Sequence, residues 1–236
     1  MKITIIIPTY NEKENLENIV QAVLKHDLNI EVIIVDDNSP DGTGKIADSL
    51  AARLPIYVIH RAGKLGLGTA YREGFKKALE RGADVVFEMD ADFSHDPSLV
   101  PNFIEKINQD FDAVVGSRRI KGGEVVGWSW WRKFESGGAM WLSRISLGLK
   151  TKDVTSGYKC YTKKVIQFLL DQGVGIKSSG YAFQEETIYR LEKNKFKIIE
   201  IPIIFKDREL GKSKLSKKDI VNFFATIFRL RFRDVK

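Results

Sequence analysis

The chain has 236 residues and a formal net charge of +7, and 43% of its residues are hydrophobic and 29% charged. This composition is typical of a soluble globular protein and excludes a disordered or fibrous chain, and the length suits one α/β unit of the larger kind. The single cysteine, Cys160, cannot form an intramolecular disulfide, and no run of about 18 apolar residues predicts a membrane-spanning helix. We therefore expect a cytoplasmic protein.

The first half of the chain alternates short apolar runs with amphipathic stretches. The runs are TIIIP, EVIIVDD, IYVIH, ADVVFEMD and DAVVGSR, and helical periodicity follows the first four over residues 11–26, 44–53, 68–81 and 97–109. Because these runs are apolar throughout rather than alternating, they predict the strands of a mostly parallel sheet with helices on both faces.

Several helix ends can also be predicted. Asn11 with Glu14 three residues later resembles a capping box for the first helix. Gly82 is placed to end the third helix, and Asp96 with Pro97 to begin the fourth.

The second half of the chain is less regular. The Gly- and Trp-rich stretch KGGEVVGWSWWRKFESGG follows Arg118, and we expect a flexible segment here that is followed by a helix near 134–148. Two helices, at about 162–171 and 182–194, come next. The strand KIIEIPIIF, the loop KDRELGKSKLS and a last amphipathic helix complete the prediction.

Polar residues follow several of the predicted strands. In open parallel sheets, ligands bind outside the carboxyl ends of the strands, so these residues are candidates for one shared site. They are Pro8, Tyr10 and Glu12 after the first strand, Asp36, Asp37 and Asn38 after the second, Asp90 and Asp92 after the fourth, and Ser117 and Arg118 after the fifth.

Asp90 and Asp92 lie two residues apart in FEMDADFSH. At about 3.3 Å per residue they point to the same side of a strand, about 6–7 Å apart at Cα. Two like charges at this spacing predict a cation between them, and carboxylate oxygens suit Mg²⁺ or Mn²⁺. The spacing argues against a glycosidase, whose carboxyl groups lie on either side of the substrate. A turn that caps the next helix is the alternative, and it explains Asp96 better than the pair.

The segment RAGKLGLGTAY has three glycines ahead of a helix. It matches neither the P-loop pattern nor the dinucleotide-binding pattern. Two interpretations stay open, namely close approach of a diphosphate or sugar to the backbone, and plain turn geometry.

A series of motifs along the chain resembles the dolichol-phosphate mannosyltransferases, which are inverting family-2 glycosyltransferases of the GT-A fold. The motifs are IIIPTYNEKENL, VIIVDDNSPDGTG, KLGLGTAYREGF, MDADFSHDP, GSR, TSGYKCY, GYAFQEE and DRELGKSKL. The similarity extends from Ile3 to about Leu215. It implies an α/β GT-A nucleotide-sugar transferase domain over 1–215, followed by a helical segment over 216–236.

This resemblance implies transfer of mannose from GDP-mannose to a polyprenyl (dolichyl) phosphate with inversion, assisted by Mg²⁺ or Mn²⁺. The implied donor-site residues are Pro8, Tyr10, Glu12, Val35, Asp37, Asp90, Ala91, Asp92, Ser94, Arg208 and Lys214, with Asp90 and Asp92 as the metal ligands. The implied acceptor-phosphate residues are Arg118, Arg132 and Ser136, with Lys133 as the alternative to Arg132. Asp90, Asp92, Arg118 and Glu186 are the implied catalytic residues, and Glu186 is equally suited to cap a helix.

The C-terminal segment is strongly basic, since residues 206–236 contain ten Lys or Arg against four Asp or Glu. The last helix carries an apolar stripe of Ile220, Phe223, Phe224, Ile227 and Phe228. A helix of this kind can lie on a membrane surface, where each cation contributes about 1 kcal/mol on anionic lipid. It can equally dock on its own domain or on a membrane-spanning partner. With a lipid phosphate as acceptor, the first option implies a peripheral protein on the cytoplasmic face of a membrane.

Three other functions fit parts of the sequence. A UDP-glucose-dependent polyprenyl-phosphate glucosyltransferase has the same fold and the same acidic pair. A sugar-nucleotide sensor without activity needs only the donor site. A basic nucleic-acid-binding protein agrees with the net charge, but the aromatic residues of the C-terminal segment follow helical spacing and do not form a stacking surface on a sheet.

Overall fold

A computed structural model of the chain describes residues 1–171, 176–206 and 217–232, and the side chains of all these except 132–135 and 217–220. The strands are β1 (Ile3–Thr9), β2 (Ile30–Asp36), β3 (Ile56–His60), β4 (Val85–Glu88), β5 (Ala113–Ser117), β6 (Glu124–Val126), β7 (Lys159–Thr162), β8 (Ile198–Pro202) and β9 (Ile204–Lys206). The helices are α1 (Leu16–Leu24), α2 (Thr43–Ala51), α3 (Leu67–Glu80), α4 (Val100–Asn108), α5 (Trp130–Leu147), α6 (Lys163–Leu170), α7 (Phe183–Lys193) and α8 (Lys217–Phe232). A short 3₁₀ helix (Pro97–Leu99) precedes α4.

Seven strands form the central sheet in the order β3-β2-β1-β4-β7-β5-β8. All neighbours in this sheet are parallel except β7, which runs antiparallel to both β4 and β5. The prediction of a mostly parallel sheet is therefore confirmed. The carboxyl ends of β2, β1 and β4 lie side by side, so the loops that follow these strands meet at one edge.

Helices cover both faces of the sheet, as the continuous apolar strands predict. On one face, Ile5 and Ile7 of β1 pack in a buried cluster with Leu16 of α1 and Phe103 of α4. On the other face, the intervening Ile6 packs with residues of α3, α6 and α7. The alternation of side chains along β1 thus contributes to two hydrophobic layers.

The sequence did not predict β7, which has only four residues and includes a charged one. Lys159 is buried in β7 opposite Glu88 of β4, and its Nζ lies 3.8 Å from Glu88 Oε2. The hydroxyl of Tyr161 donates to Glu88 Oε1 at 3.1 Å. A buried lysine is uncommon unless it is paired, and this pair accounts for its place in the sheet.

The predicted strand KIIEIPIIF forms two strands instead of one. β8 pairs with β5 as far as Pro202, and β9 then leaves the central sheet and pairs with β6 in a separate two-stranded ribbon. Proline has no N–H for a ladder hydrogen bond, which explains why the first pairing ends there.

The last helix, α8, packs on the rest of the domain along one side. Ile227 and Leu230 are buried in a cluster that includes Met140 of α5 and Ile188 of α7. The apolar stripe that the sequence predicts is divided between the two sides of α8, because Ile227 is buried whereas Phe224 is exposed. The apolar residues of α8 on the exposed side are Val221, Phe224, Phe228 and Phe232. None of the described helices is both long and apolar enough to cross a bilayer.

Candidate active site

A cavity of about 290 Å³ opens at the carboxyl ends of β1, β2 and β4. The first turn of α3, the segment before it and the segment before α7 complete its wall. The lining residues are Pro8, Thr9, Tyr10, Glu12, Asp37, Lys64, Gly66, Leu67, Ala70, Asp90, Ala91, Asp92, Gly180 and Tyr181. The structure thus brings together seven of the predicted donor-site residues, from three different strand ends.

The three loops that follow these strands each contain a residue in the left-handed region. These residues are Asn11 (φ 56°), Asn38 (φ 57°) and Phe93 (φ 59°). Asparagine adopts this conformation readily, whereas it is strained for a phenylalanine. The strain at Phe93 lies directly beside Asp92, in the loop that carries both acidic residues.

Local hydrogen bonds fix the loop that contains Asp90 and Asp92. Asp92 Oδ1 accepts from the backbone N–H of Ser94 at 3.1 Å and from its hydroxyl at 2.6 Å. The backbone N–H of Asp90 donates to Nδ1 of the buried His95, whose ring stacks on Tyr158. Ser94 is therefore a support for Asp92 and is absent from the cavity lining.

The acidic pair fits a divalent metal. Both carboxylates line the same cavity and offer hard oxygen ligands. Within the described ranges, no three His, Cys, Asp or Glu side chains converge as a complete metal cage. This number of ligands suits Mg²⁺ or Mn²⁺, which commonly take only one or two carboxylates and fill the other positions with water and substrate phosphate oxygens.

Asp37 is held in place by an arginine that the sequence did not predict. Arg61 is buried, and its Nη1 donates to Asp37 Oδ1 at 2.7 Å while its Nε lies 3.2 Å from Glu73. Burial raises the pKa of Asp37, and the charge of Arg61 opposes this rise. The remaining predicted donor residue of β2, Val35, is fully buried beneath α3 and does not line the cavity.

Lys64 is a second basic residue of the site that the sequence did not predict. It lines the cavity together with Glu12, Asp37, Asp90 and Asp92, and its Nζ lies 5.1 Å from the centre of the Tyr10 ring. Its position after the third strand follows the rule that places ligands at strand ends. The glycines on either side of Lys64 mark the segment in the sequence, whereas a lysine in a loop is usually solvated and gives no signal of its own.

The glycine-rich segment packs closely on the segment before α7. Gly66 has φ +103°, and a Cβ there would lie 2.5 Å from the carbonyl oxygen of Ser179. The N–H of Gly68 donates to the same oxygen at 2.8 Å, and a Cβ on Gly68 would lie 2.6 Å from Ser178 O. Close approach of a ligand to the backbone has support because Gly66 lines the cavity. The purely structural interpretation has support because Gly68 permits the close packing that positions Gly66.

Two of the three predicted acceptor-phosphate residues, Arg118 and Ser136, lie near the end of β5. Arg118 Nε and Nη2 donate to Asp153 at 2.7 and 2.6 Å, and its guanidinium lies over the Phe205 ring. Ser136 accepts from Nη2 of the adjacent Arg119 at 3.1 Å. The side chain of Arg132, and both Arg208 and Lys214, fall outside the part of the chain that the structure describes. Their roles stay predictions.

Glu186 is fully buried in α7 and does not line the cavity. It accepts from the backbone N–H groups of Lys177 and Ser178 and from the guanidinium groups of Arg190 and Arg229. Although burial raises the pKa of this carboxyl, these hydrogen bonds and the charge of Arg229 bring the pKa below its usual value. Glu186 does not cap α7, because the helix has no side-chain cap hydrogen bond and the N–H groups that Glu186 accepts from lie before the helix. Its contacts instead connect α7, α8 and the segment before α7.

The mostly parallel sheet with helices on both faces and the cavity at the carboxyl ends of its strands define the class of fold, the GT-A fold. Glucosyl-3-phosphoglycerate synthase from Mycobacterium tuberculosis, solved with UDP, superimposes with a TM-score of 0.71 at 17% identity, over 98% of this chain and 80% of that chain. The same enzyme solved with Mn²⁺, UDP-glucose and phosphoglyceric acid gives a TM-score of 0.69 at 17% identity, over 98% and 79% of the two chains. At this identity, the likeness supports the fold alone.

Residues 4–172 match the family model described as glycosyl transferase family 2, and the chain belongs to this family. It is 43% identical to the polyprenol monophosphomannose synthase of Mycolicibacterium smegmatis, over 92% of this chain and 82% of that protein. It is 44% identical to the undecaprenyl-phosphate mannosyltransferase of Micrococcus luteus, over 92% and 88%. The dolichol-phosphate mannosyltransferase of Pyrococcus furiosus is 39% identical over 98% of this chain and 64% of its own length. The family resemblance that the motifs predict is confirmed.

Proposed function

We propose that this protein transfers mannose from GDP-mannose to a polyprenyl phosphate with inversion and with the help of Mg²⁺ or Mn²⁺. The observation that carries the proposal is the identity of 43–44% over 92% of the chain to relatives whose names specify mannose and a polyprenyl phosphate. The cavity supports it as well, since residues expected around a nucleoside and a diphosphate line one space.

The chemistry is a displacement at the anomeric carbon of mannose. An oxygen of the acceptor phosphate forms a bond to this carbon, and the bond to the β-phosphate oxygen breaks with its electron pair leaving on GDP. The phosphate is already anionic at neutral pH, so the reaction does not depend on a general base in the way that attack by a hydroxyl group does. In-line attack accounts for the inverted configuration.

The residues around the cavity have distinct tasks in this proposal. Tyr10, Glu12 and Asp37 hold the nucleoside, with Arg61 fixing the carboxylate of Asp37. Asp90 and Asp92 would hold a divalent metal, and a bound metal would supply Lewis-acid stabilisation of the negative charge on the leaving diphosphate. Lys64 adds a positive charge at the same cavity.

The proposed acceptor places the protein at a membrane surface. Exposed apolar side chains are present on α5 as well as on α8, which pack against each other through a shared buried cluster. On α5 they are Trp130, Trp131, Trp141, Leu142 and Ile145. Two adjacent helices with apolar, aromatic outer sides and basic residues nearby suit a bilayer surface, or a membrane-spanning partner.

A turnover assay tests the function. Purified protein is incubated with GDP-mannose, a short-chain polyprenyl phosphate and Mn²⁺, and the release of GDP and the formation of mannosylated lipid are both measured. We expect equal amounts of the two products, and this result would also distinguish an enzyme from a sensor that only binds the donor.

Calorimetric titrations with Mn²⁺ test which nucleotide the site prefers. GDP should bind at least tenfold more tightly than UDP, a difference of about 1.4 kcal/mol. Equal affinities, or transfer of glucose from UDP-glucose at a higher rate, would contradict the mannosyl assignment.

A further inference from the structure

Arg229 of the last helix, α8, contacts the segment that leads into α7. Its Nη2 donates to the hydroxyl oxygen of Ser178 at 3.0 Å and to Glu186 Oε2 at 2.7 Å. The side chain of Arg229 is 29% exposed, whereas the carboxylate of Glu186 is fully buried. Hydrogen bonds between ionised groups are strong where little water competes with them. Arg229 therefore makes a firm connection between the C-terminal helix and this segment.

The backbone around Arg229 is itself fixed on the domain. Ile227 and Leu230 lie on either side of Arg229 in the chain, and both are buried in the cluster that includes Ile188 of α7. The hydroxyl of Tyr189 donates to the carbonyl oxygen of Leu230 at 3.0 Å. Because α8 is attached to α7 in this way, Arg229 extends from a defined position.

The segment over residues 176–182 forms neither helix nor strand, so its position depends on single contacts with its neighbours. The backbone N–H groups of Lys177 and Ser178 donate to the two oxygens of Glu186, at 3.1 and 2.8 Å. Ser178 is thus held twice, through its N–H by Glu186 and through its hydroxyl by Arg229.

The same segment forms part of the wall of the donor cavity. Gly180 and Tyr181, which follow Ser178 by two and three residues, both line the cavity. The carbonyl oxygen of Ser179 accepts from the N–H of Gly68 at 2.8 Å, and a Cβ on Gly68 would lie 2.6 Å from Ser178 O. At this packing, a shift of Ser178 displaces both the wall and the first turn of α3.

We infer that Arg229 is a positioning residue for the donor cavity, because it holds Ser178 and thereby the wall that Gly180 and Tyr181 form. Arg229 does not line the cavity and acts through Ser178 and Glu186. The inference rests on the proposed function, in which this cavity binds a nucleoside diphosphate, and it adds a residue of α8 to the donor site. Arg190 also donates to Glu186, at 3.0 and 2.8 Å, so the buried carboxylate stays paired when Arg229 is removed.

The experiment compares Arg229→Ala, Arg229→Lys, Ser178→Ala and the control Arg231→Ala, which removes the same charge from an exposed residue of α8. Amide hydrogen exchange is measured first, without nucleotide. In Arg229→Ala we expect exchange over residues 177–182 to be about tenfold faster or more, with β1 at the wild-type rate. Arg229→Lys should recover part of this protection, since a point charge replaces the guanidinium. Arg231→Ala should match the wild type.

Titration of GDP with Mn²⁺ measures the effect on the cavity. Arg229→Ala should lower the affinity about fivefold or more and leave the KM for a short-chain prenyl phosphate within about twofold of the wild type. When Arg229→Ala and Ser178→Ala are combined, the loss should be smaller than the product of the two single losses, because both changes remove the same hydrogen bond. Arg231→Ala should bind GDP as the wild type does.

Wild-type exchange and wild-type GDP affinity in both Arg229 variants would overturn the inference. Faster exchange with unchanged GDP affinity would also overturn it, since Arg229 would then stabilise the fold without positioning the cavity. If Arg229→Ala fails to fold, Ser178→Ala decides the question, because it removes the other partner of the bond and no charge. A wild type that binds neither GDP nor UDP would instead refute the proposed function, and the exchange measurements would still decide whether Arg229 holds the segment.

Discussion

Glu185 is a fully buried acid on α7. The hydrogen bond that it accepts from Ser143 does not compensate for the hydration that its charged form loses on burial. Burial raises its pKa to about 8, although the hydrogen bond from Ser143 opposes this rise. Between about pH 4.5 and pH 8 the unfolded chain loses a proton that the folded protein keeps, so the free energy of unfolding falls as the pH rises through this range.

Glu185→Gln removes this dependence on pH and keeps the shape of the side chain. We expect little difference in the free energy of unfolding between variant and wild type near pH 5, and a gain for the variant of about 2–4 kcal/mol at pH 8. Urea unfolding at four pH values measures it. The matched control is Glu105→Gln, an exposed acid on α4. Parallel curves for Glu185→Gln and the wild type would contradict the expectation.

Asp92→Asn tests the proposed metal site. Asparagine retains an oxygen that can accept from Ser94, so the loop should keep its conformation while the charge is lost. We expect turnover with Mn²⁺ to fall about 100-fold or more, with the melting temperature unchanged. The control is Asp41→Asn, because Asp41 accepts from Thr43 in the same way but does not line the cavity. Equal losses of activity in the two variants would show that the loop geometry, and not the metal, is affected.

The sequence predicted those site residues whose position follows from a strand end. Asp90, Asp92 and Asp37 each come directly after an apolar run, so their place at one edge of a parallel sheet can be inferred. Arg61 and Lys64 could not be recognised in this way, because basic residues in loops are usually solvated. Only the tertiary structure shows that one is buried against Asp37 and that the other lines the cavity.

At the scale of single elements, the first turn of α3 offers a sharp test of packing. Gly68→Ala places a Cβ 2.6 Å from Ser178 O and 2.8 Å from Phe183 Cβ, and one of these contacts is with backbone. We expect a loss of stability of about 1–3 kcal/mol and a weaker affinity for GDP, because the displaced segment carries Gly66 and Leu67 of the cavity wall. Chemical unfolding and GDP titration measure the two effects.

Gly63→Ala is the control in the same loop, since a Cβ at Gly63 meets nothing within 4 Å. It should match the wild type in both measurements. A Gly68→Ala protein with normal stability and normal GDP affinity would mean that the loop moves without consequence for the cavity.

The helix ends show what sequence patterns can and cannot specify. Gly82 has φ +81° after α3, and Asp96 accepts from the N–H of Ser98 ahead of α4, as predicted. The capping box of Asn11 and Glu14 is wrong, because α1 begins only at Leu16 and Asn11 adopts a left-handed conformation, with its N–H donating to Ser39. A local motif predicts a helix end where the chain has no stronger contact. Here the loop after β2 supplies one.

At the scale of the whole molecule, the exposed sides of α5 and α8 predict binding to a membrane surface. Replacing Phe224 and Phe228 together by Glu should lower binding to anionic vesicles at least tenfold, because burial of each phenylalanine contributes about 1.5–3 kcal/mol. Both side chains are exposed, so stability should be unaffected. Vesicle co-sedimentation with phosphatidylglycerol and phosphatidylcholine measures it.

The matched control replaces Asn222 and Ala225, both exposed on α8, by Glu. It adds the same negative charge but keeps the aromatic side chains, and it should retain most of the binding. If the wild type itself fails to sediment with the vesicles, the exposed sides of these helices face a protein partner rather than lipid.

The antiparallel strand β7 also bears on the order in which the molecule can assemble. β4 and β5 have no hydrogen bonds to each other, and each pairs with β7, which comes from residues more than 70 positions beyond β4. During synthesis, the part of the sheet formed by β1, β2, β3 and β4 can form early, but β4 is an open edge until residues 159–162 leave the ribosome. An open strand edge invites pairing with other chains. Arrest of translation before this point therefore leaves a fragment prone to aggregation, and the two parts of the sheet are joined only when β7 pairs with both β4 and β5.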